Sequence, residues 1–186
     1  LVCLVGSEMC IRDRYNNMHE NQIREIIEEL IDTFLYAGKL SLKLREQGLI
    51  KQIKDDNTPV SNGDLEVNRI LIEKINVLTP DIPIVSEETS HNKTKKDLIN
   101  FWLIDPIDGT YDYINNLDEF TINAGLIINN KPVAGLINAP AKKRMFYSYG
   151  KGNAYELSNG NKINLSDSVV KKNDQVKFVS YSKKSK

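Results

Sequence analysis

Ten consecutive residues constrain this chain more than any others. Phe101-Trp102-Leu103-Ile104 is an apolar run, and Asp105-Pro106-Ile107-Asp108-Gly109-Thr110 follows it with two carboxylates, a proline, a glycine and a hydroxyl. The apolar part reads as a short buried strand. Asp105 and Asp108 are predicted at its end, where Pro106 fixes the bend and Gly109 lets a ligand approach the backbone. A helix starting at Gly109 and Thr110 would turn its free N–H groups toward the same space, which suits a phosphate oxygen. Asp-Gly is also a common turn dipeptide that acidic side chains cap. Taken alone, the segment reads as such a turn.

Two other segments change that balance. Val85-Ser86-Glu87-Glu88 closes a short apolar run on two acids, and Asp56 to Asp64 runs from a turn through Thr58-Pro59-Val60-Ser61 into a helix. Successive side chains of an extended segment point oppositely. Only one of the two glutamates is therefore expected to reach a given metal, and Glu87 is chosen. Adjacent acids after a strand are ordinarily solvated, and Asp64 is accounted for as a helix N-terminal residue. The conjunction of all three segments has no such simple account. Together they offer hard oxygen ligands suited to Mg2+ and a phosphate ester.

The rest of the chain supplies a scaffold of ordinary composition. With 186 residues, 40% hydrophobic and 27% charged, it has the length and make-up of a single globular domain. Lys and Arg number 25 against 25 Asp and Glu, so the broad basic field that a nucleic-acid polymer requires is missing. No apolar stretch approaches the ~20 residues needed to span a bilayer, and a soluble protein is expected. Helices are predicted over His19 to Glu46, with Gly48 as the stop, and over Asp64 to Leu78, on a stripe of Val67, Ile70, Leu71, Ile75 and Leu78. Strands are predicted at Leu49 to Lys54, Ile82 to Val85, Phe101 to Ile104, Phe120 to Ile128, Pro132 to Asn138, Met145 to Tyr149, Asn153 to Leu157 and Val176 to Tyr181. Ser90 to Asp97 reads as a loop, and Ser158 to Asn161 as a turn. Cys3 and Cys10 fall in an atypical opening segment without the basic flank of a signal peptide. Residues 1–17 are therefore expected to be a non-native leader, with Met18 as the start. His19 and His91 lack zinc-ligand spacing and are expected at the surface.

Lys54 to Asp64, Leu78 to Glu88, Phe101 to Thr110, Glu119 to Ile128 and Pro132 to Pro140 resemble the lithium-sensitive, magnesium-dependent phosphatases of the inositol monophosphatase superfamily. Within it they are most similar to the CysQ-type 3'(2'),5'-bisphosphate nucleotidases. That finer likeness rests on Asp56 to Ser61, Thr79 to Pro83, Glu119-Phe120-Thr121 with Asn123, and Pro132 to Pro140. The resemblance implies an α+β layered sugar-phosphatase fold, with an antiparallel sheet and two long helices. It implies that Glu87, Asp105, Asp108 and the Ile107 carbonyl ligate Mg2+, as two or more ions with lithium inhibition. It implies that Thr110, hydrogen-bonded to Asp64, orients the water attacking phosphorus, with Glu87 also catalytic. Substrate is then held at Glu87, Ile107, Asp108 and the backbone of Gly109 and Thr110.

The implied reaction is hydrolysis of adenosine 3',5'-bisphosphate to AMP and phosphate, in sulfur assimilation or nucleotide recycling. Phosphatases of inositol phosphate, histidinol phosphate or a sugar phosphate are the alternatives, and a non-catalytic domain binding metal or a partner is the alternative of another class. The expected partner is a small phosphorylated substrate. The expected location is the cytoplasm, with a homodimer and a peripheral place at the inner membrane left open. The chain departs from the family pattern at Tyr111-Asp112-Tyr113, and it lacks a Trp-Asp segment after Thr110. Residues 18–165 are therefore expected to form the metal-binding domain, and 166–186 the start of a truncated second one. Such a fragment should be poorly active and marginally soluble.

Overall fold

The computed structural model describes residues 18–54, 58–89 and 98–166. The expected leader, the Ser90 to Asp97 loop and the Val176 to Tyr181 strand lie outside the described residues, as do Cys3, Cys10 and His91.

Helix α1, Glu20–Gln47, forms where apolar periodicity predicts it and ends one residue before Gly48. It buries Ile23, Ile27, Leu30 and Phe34, then Ala37, Gly38 and Ser41. The switch to small residues lets the sheet come close, because a Cβ on Gly38 would strike the Asn138 amide and sit 3.0 Å from Pro140. Strands β1, Lys51–Ile53, and β2, Pro59–Ser61, pair antiparallel outside the main sheet. β2 replaces the end of the predicted turn.

Helix α2, Asn62–Leu78, starts two residues before the predicted Asp64. Ser61 caps it: the Gly63 N–H donates to Ser61 Oγ at 3.1 Å, and the Ser61 N–H donates to Asp64 Oδ2 at 2.8 Å. This reciprocal capping box places Asp64 at the third position of the helix, still in its first turn, and not at its start. Val67, Leu71 and Ile75 are buried as expected, but Ile70 and Leu78 are only half-buried, and Asn68 takes a buried place.

The main sheet comprises β3, Ile84–Ser86; β4, Phe101–Asp108; β5, Thr121–Ile128; β6, Lys131–Ala139; β7, Arg144–Tyr149; β8, Ala154–Ser158; and β9, Asn161–Asn164, side by side in that order. A short helix α3, Thr110–Ile114, lies between β4 and β5. The expected antiparallel pattern holds from β4 to β9, but β3 runs parallel to β4. A parallel pair needs a crossover of about a dozen residues or more, and segment 87–100 is long enough to make one. β9 was not predicted: the turn narrows to Asn159 and Gly160, whose φ values of 49° and 81° close the hairpin tightly.

Both long helices pack on one face of the sheet, over Trp102, Ile104, Ile122, Leu126, Leu136 and Met145. Each such buried aliphatic side chain contributes about 1.5–3 kcal/mol. The opposite face leaves Leu103 52% and Ile137 46% exposed. No described helix is long and apolar enough to cross a membrane.

Candidate active site

Three of the predicted acids, Glu87, Asp105 and Asp108, come within one another's electrostatic reach at the end of β4, by a route the sequence did not show. β4 does not stop at Ile104 but continues through Asp108, with a register shift between Asp105, opposite Asn123, and Asp108, opposite Thr121. In a regular strand, residues three apart point to opposite faces. The bulge cancels that alternation, burying Pro106 and Ile107 and sending Asp105 and Asp108 to the open face. Proline is tolerated inside a sheet at such a bulge, where no ladder hydrogen bond is asked of it.

Gly109 follows with φ 92° and ψ 38°, a left-handed conformation that strongly favours glycine. A Cβ there would also lie 2.7 Å from the Glu119 carbonyl oxygen. The turn delivers Thr110 to Asp64, 46 residues away, with Thr110 Oγ1 3.1 Å from Asp64 Oδ1 and 3.0 Å from the Ile107 carbonyl oxygen. One hydroxyl proton serves one acceptor at a time. When Asp64 takes it, the Ile107 carbonyl keeps a lone pair for another partner.

Asp64 is 1% exposed, and the Ser61 hydroxyl and N–H both donate to its Oδ2, at 2.6 and 2.8 Å. Tyr113 closes the back of this pair, its hydroxyl donating to the Ser41 carbonyl at 2.7 Å while the ring covers Gly63. Burial, and then the Asp64 charge, push the Tyr113 phenol above its ordinary range.

The two glutamates after β3 divide their roles. Glu88 takes a 2.7 Å ion pair with Lys54 and is nearly covered, whereas Glu87 is 3.6 Å from Lys54 and 44% exposed. Burial opposes the charged Lys54 amine, but Glu88 and Glu87 more than offset it and raise its pKa. Burial raises the Glu88 carboxyl against the pull of Lys54.

Asp105 is pushed up to about 7, first by burial, then by the charges of Glu87 and Asp108 and a hydrogen bond with Glu87. Its Oδ1 is buried without a hydrogen-bond partner. Among the described residues, no three His, Cys, Asp or Glu side chains stand ready around one metal position. The donors nevertheless suit a hard divalent cation such as Mg2+: crowded carboxylates, an unsatisfied buried oxygen and a backbone carbonyl.

Of the predicted residues, the structure brings Thr110 to Asp64 and to the Ile107 carbonyl, and Glu87 and Asp108 into the field of Asp105, with Gly109 as the turn after β4. Three participants were missed. Ser61 was legible, since Ser61-x-x-Asp64 is a capping-box spacing. Asn123 entered only through the finer family likeness and not as a site residue, and Lys54 carried no local signal. Asn123 donates from Nδ2 to Asp108 Oδ2 at 3.2 Å, and its own Oδ1 is buried without a partner.

Along the open face beyond Asp105 and Asn123 runs a groove of about 610 Å3, floored by Gly125 and Gly135 and walled by Leu103, Ile137 and Phe146.

Comparison with known proteins bears on the family and the fold. The model of the inositol monophosphatase family matches residues 22–186. The 3'(2'),5'-bisphosphate nucleotidase CysQ of Aggregatibacter actinomycetemcomitans is 34% identical over 142 residues, covering 75% of this chain and 53% of that protein. The CysQ of Haemophilus influenzae is 39% identical over 127 residues, covering 65% and 47%. Among solved structures, CysQ from Bacteroides thetaiotaomicron superposes with a TM-score of 0.55 at 29% identity, over 74% of this chain and 50% of that one. The chain thus spans about half the length of these relatives. With the α+β fold, the acid-bearing bulge and a match over most of its length, the chain belongs to the inositol monophosphatase family.

Proposed function

We propose that this chain carries the metal-binding part of a Mg2+-dependent phosphate monoester hydrolase. Its substrate is adenosine 3',5'-bisphosphate, and its products are AMP and phosphate. The observation that carries the reading is Asp105: a half-buried carboxylate crowded by Glu87 and Asp108, with one buried oxygen that lacks a hydrogen-bond partner. Similarity to the CysQ nucleotidases supports the substrate.

Glu87, Asp105, Asp108 and the Ile107 carbonyl would hold Mg2+. Bound there, it would neutralise phosphate charge and make a water more acidic. Ser61 holds Asp64 with two hydrogen bonds, and Asp64 in turn accepts the Thr110 proton. Thr110 Oγ1 is then left as an acceptor that orients an attacking water. The backbone turn at Gly109 and Thr110 meets the transferred phosphoryl group. Residues 18–165 form this domain; the relatives it matches are about twice as long, so turnover is also to be measured in a protein extended to their length.

The deciding experiment compares adenosine 3',5'-bisphosphate with inositol monophosphate, using this chain and a version extended through a second domain. The extended protein is expected to prefer the bisphosphate, to require Mg2+ and to lose turnover steeply on Asp105→Asn. Preference for the inositol ester would replace the nucleotidase by an inositol phosphatase. Absence of turnover with either ester in the extended protein would favour a domain that binds without catalysis.

A further inference from the structure

Two unsatisfied buried oxygens belong to residues paired across the β4–β5 ladder. Asp105 and Asn123 are register partners on the open face, and Asp105 Oδ1 and Asn123 Oδ1 are both buried without a hydrogen-bond partner. Directly opposite residues have Cβ atoms about 4.5–5.5 Å apart. The other end of the Asn123 amide reaches across the bulge, donating to Asp108 Oδ2 at 3.2 Å. One amide therefore touches one carboxylate and stands opposite the other.

Turning the amide over would offer Nδ2 to Asp105 only by setting the amide oxygen against the Asp108 carboxylate, so one amide cannot donate to both aspartates. Among the described residues neither oxygen has a hydrogen-bond donor, and buried polar atoms are ordinarily paired. A cation or its bound water could satisfy both at once.

We propose that Asn123 is a positioning residue for the divalent cation: its Nδ2 fixes the Asp108 carboxylate, and its Oδ1, beside Asp105, accepts from the cation's hydration shell. This rests on the metal-site reading above and adds a neutral oxygen to the acidic set. Asn123 holds the two aspartates in register across the bulge, so the cation meets a partly arranged site and does not have to gather separate side chains. Residues in this outer role commonly change metal affinity 10–100-fold.

The test is titration of the 186-residue chain with Mn2+, followed by electron paramagnetic resonance, alongside thermal melting in EDTA. Asn123→Ala is expected to weaken Mn2+ binding about 10-fold while moving the metal-free melting temperature little. Asn123→Asp restores an oxygen but adds a negative charge. It should bind Mn2+ at least as tightly as the wild type while melting lower in EDTA, so the two readouts move in opposite directions. A merely structural role would move them together.

Unchanged affinity in Asn123→Ala would overturn the inference, as would affinity lost only in step with metal-free stability. So would an Asn123→Asp protein that binds no better than Asn123→Ala. Equal Mn2+ binding by the wild type and Asp105→Asn is a separate result: it removes the metal site itself, and the inference with it.

Discussion

The two faces of one sheet have been built to opposite rules. The helix-covered face carries Trp102, Ile104, Ile122, Leu126 and Leu136, each at most 1% exposed, and even its polar Trp102 Nε1 donates to Thr79 Oγ1 at 3.0 Å. The open face, on the same strands one residue along, carries crowded acids, two orphaned oxygens and a glycine-floored groove. One face is satisfied by the chain itself, and the other is left for something else to complete. Local rules are broken on the face that bears the site, where function is expected to oppose stability.

Substitutions on the two faces should accordingly differ in sign as well as size. Trp102→Ala removes the largest fully buried side chain and strands Thr79, and urea unfolding should show a loss of about 3–5 kcal/mol. A loss below about 1 kcal/mol would break the contrast at its strongest point. Asp105→Asn should do the reverse: by removing a half-buried carboxylate crowded by Glu87 and Asp108, which is charged above pH about 7, it is expected to stabilise the metal-free protein above that pH by about 1 kcal/mol once solvent screening is allowed for. The same variant should abolish the rise in melting temperature on adding Mg2+, and destabilisation in EDTA would show that the acids are satisfied after all.

Two glycine substitutions sharpen the comparison further. Gly109→Ala meets both the left-handed backbone and the Glu119 carbonyl oxygen, and should destabilise the fold by about 1–2 kcal/mol. Gly125→Ala on the groove floor meets only Ile127 Cδ1 at 4.0 Å. Alanine is the better strand residue by about 0.5–1 kcal/mol, so chemical denaturation should show a small gain, and a loss would mean that the floor is already tightly used. If the groove receives a partner surface or substrate, the same Gly125→Ala change should weaken that binding while leaving the isolated fold intact.

Much of this was legible before any coordinates, for identifiable reasons. α1 follows from the spacing of Ile23, Ile27, Leu30 and Phe34, because helical burial repeats every three to four residues. The acids announced themselves by residue type at the close of apolar runs. The direction of β3 was not legible, since a short apolar run looks the same parallel or antiparallel and its partner is chosen by the crossover. The continuation of β4 past Pro106 was hidden for another reason. A proline after an apolar run reads as an ending unless the neighbouring strand supplies a bulge to hold it. Lys54 belongs to Glu88 across 34 residues, and no periodicity reaches that far.

The sequence by itself determined which chemical groups are present, where the long helices run and which hard oxygen donors the chain can offer, because these depend on residue identity and local spacing. Only the tertiary structure decided which oxygens remain unsatisfied. The β4–β5 register sets Asn123 opposite Asp105, the bulge turns Asp108 to the same face, and the capped start of α2 carries Asp64 to Thr110. Satisfaction of a buried polar atom depends on neighbours brought from distant parts of the chain, and only the folded packing supplies them.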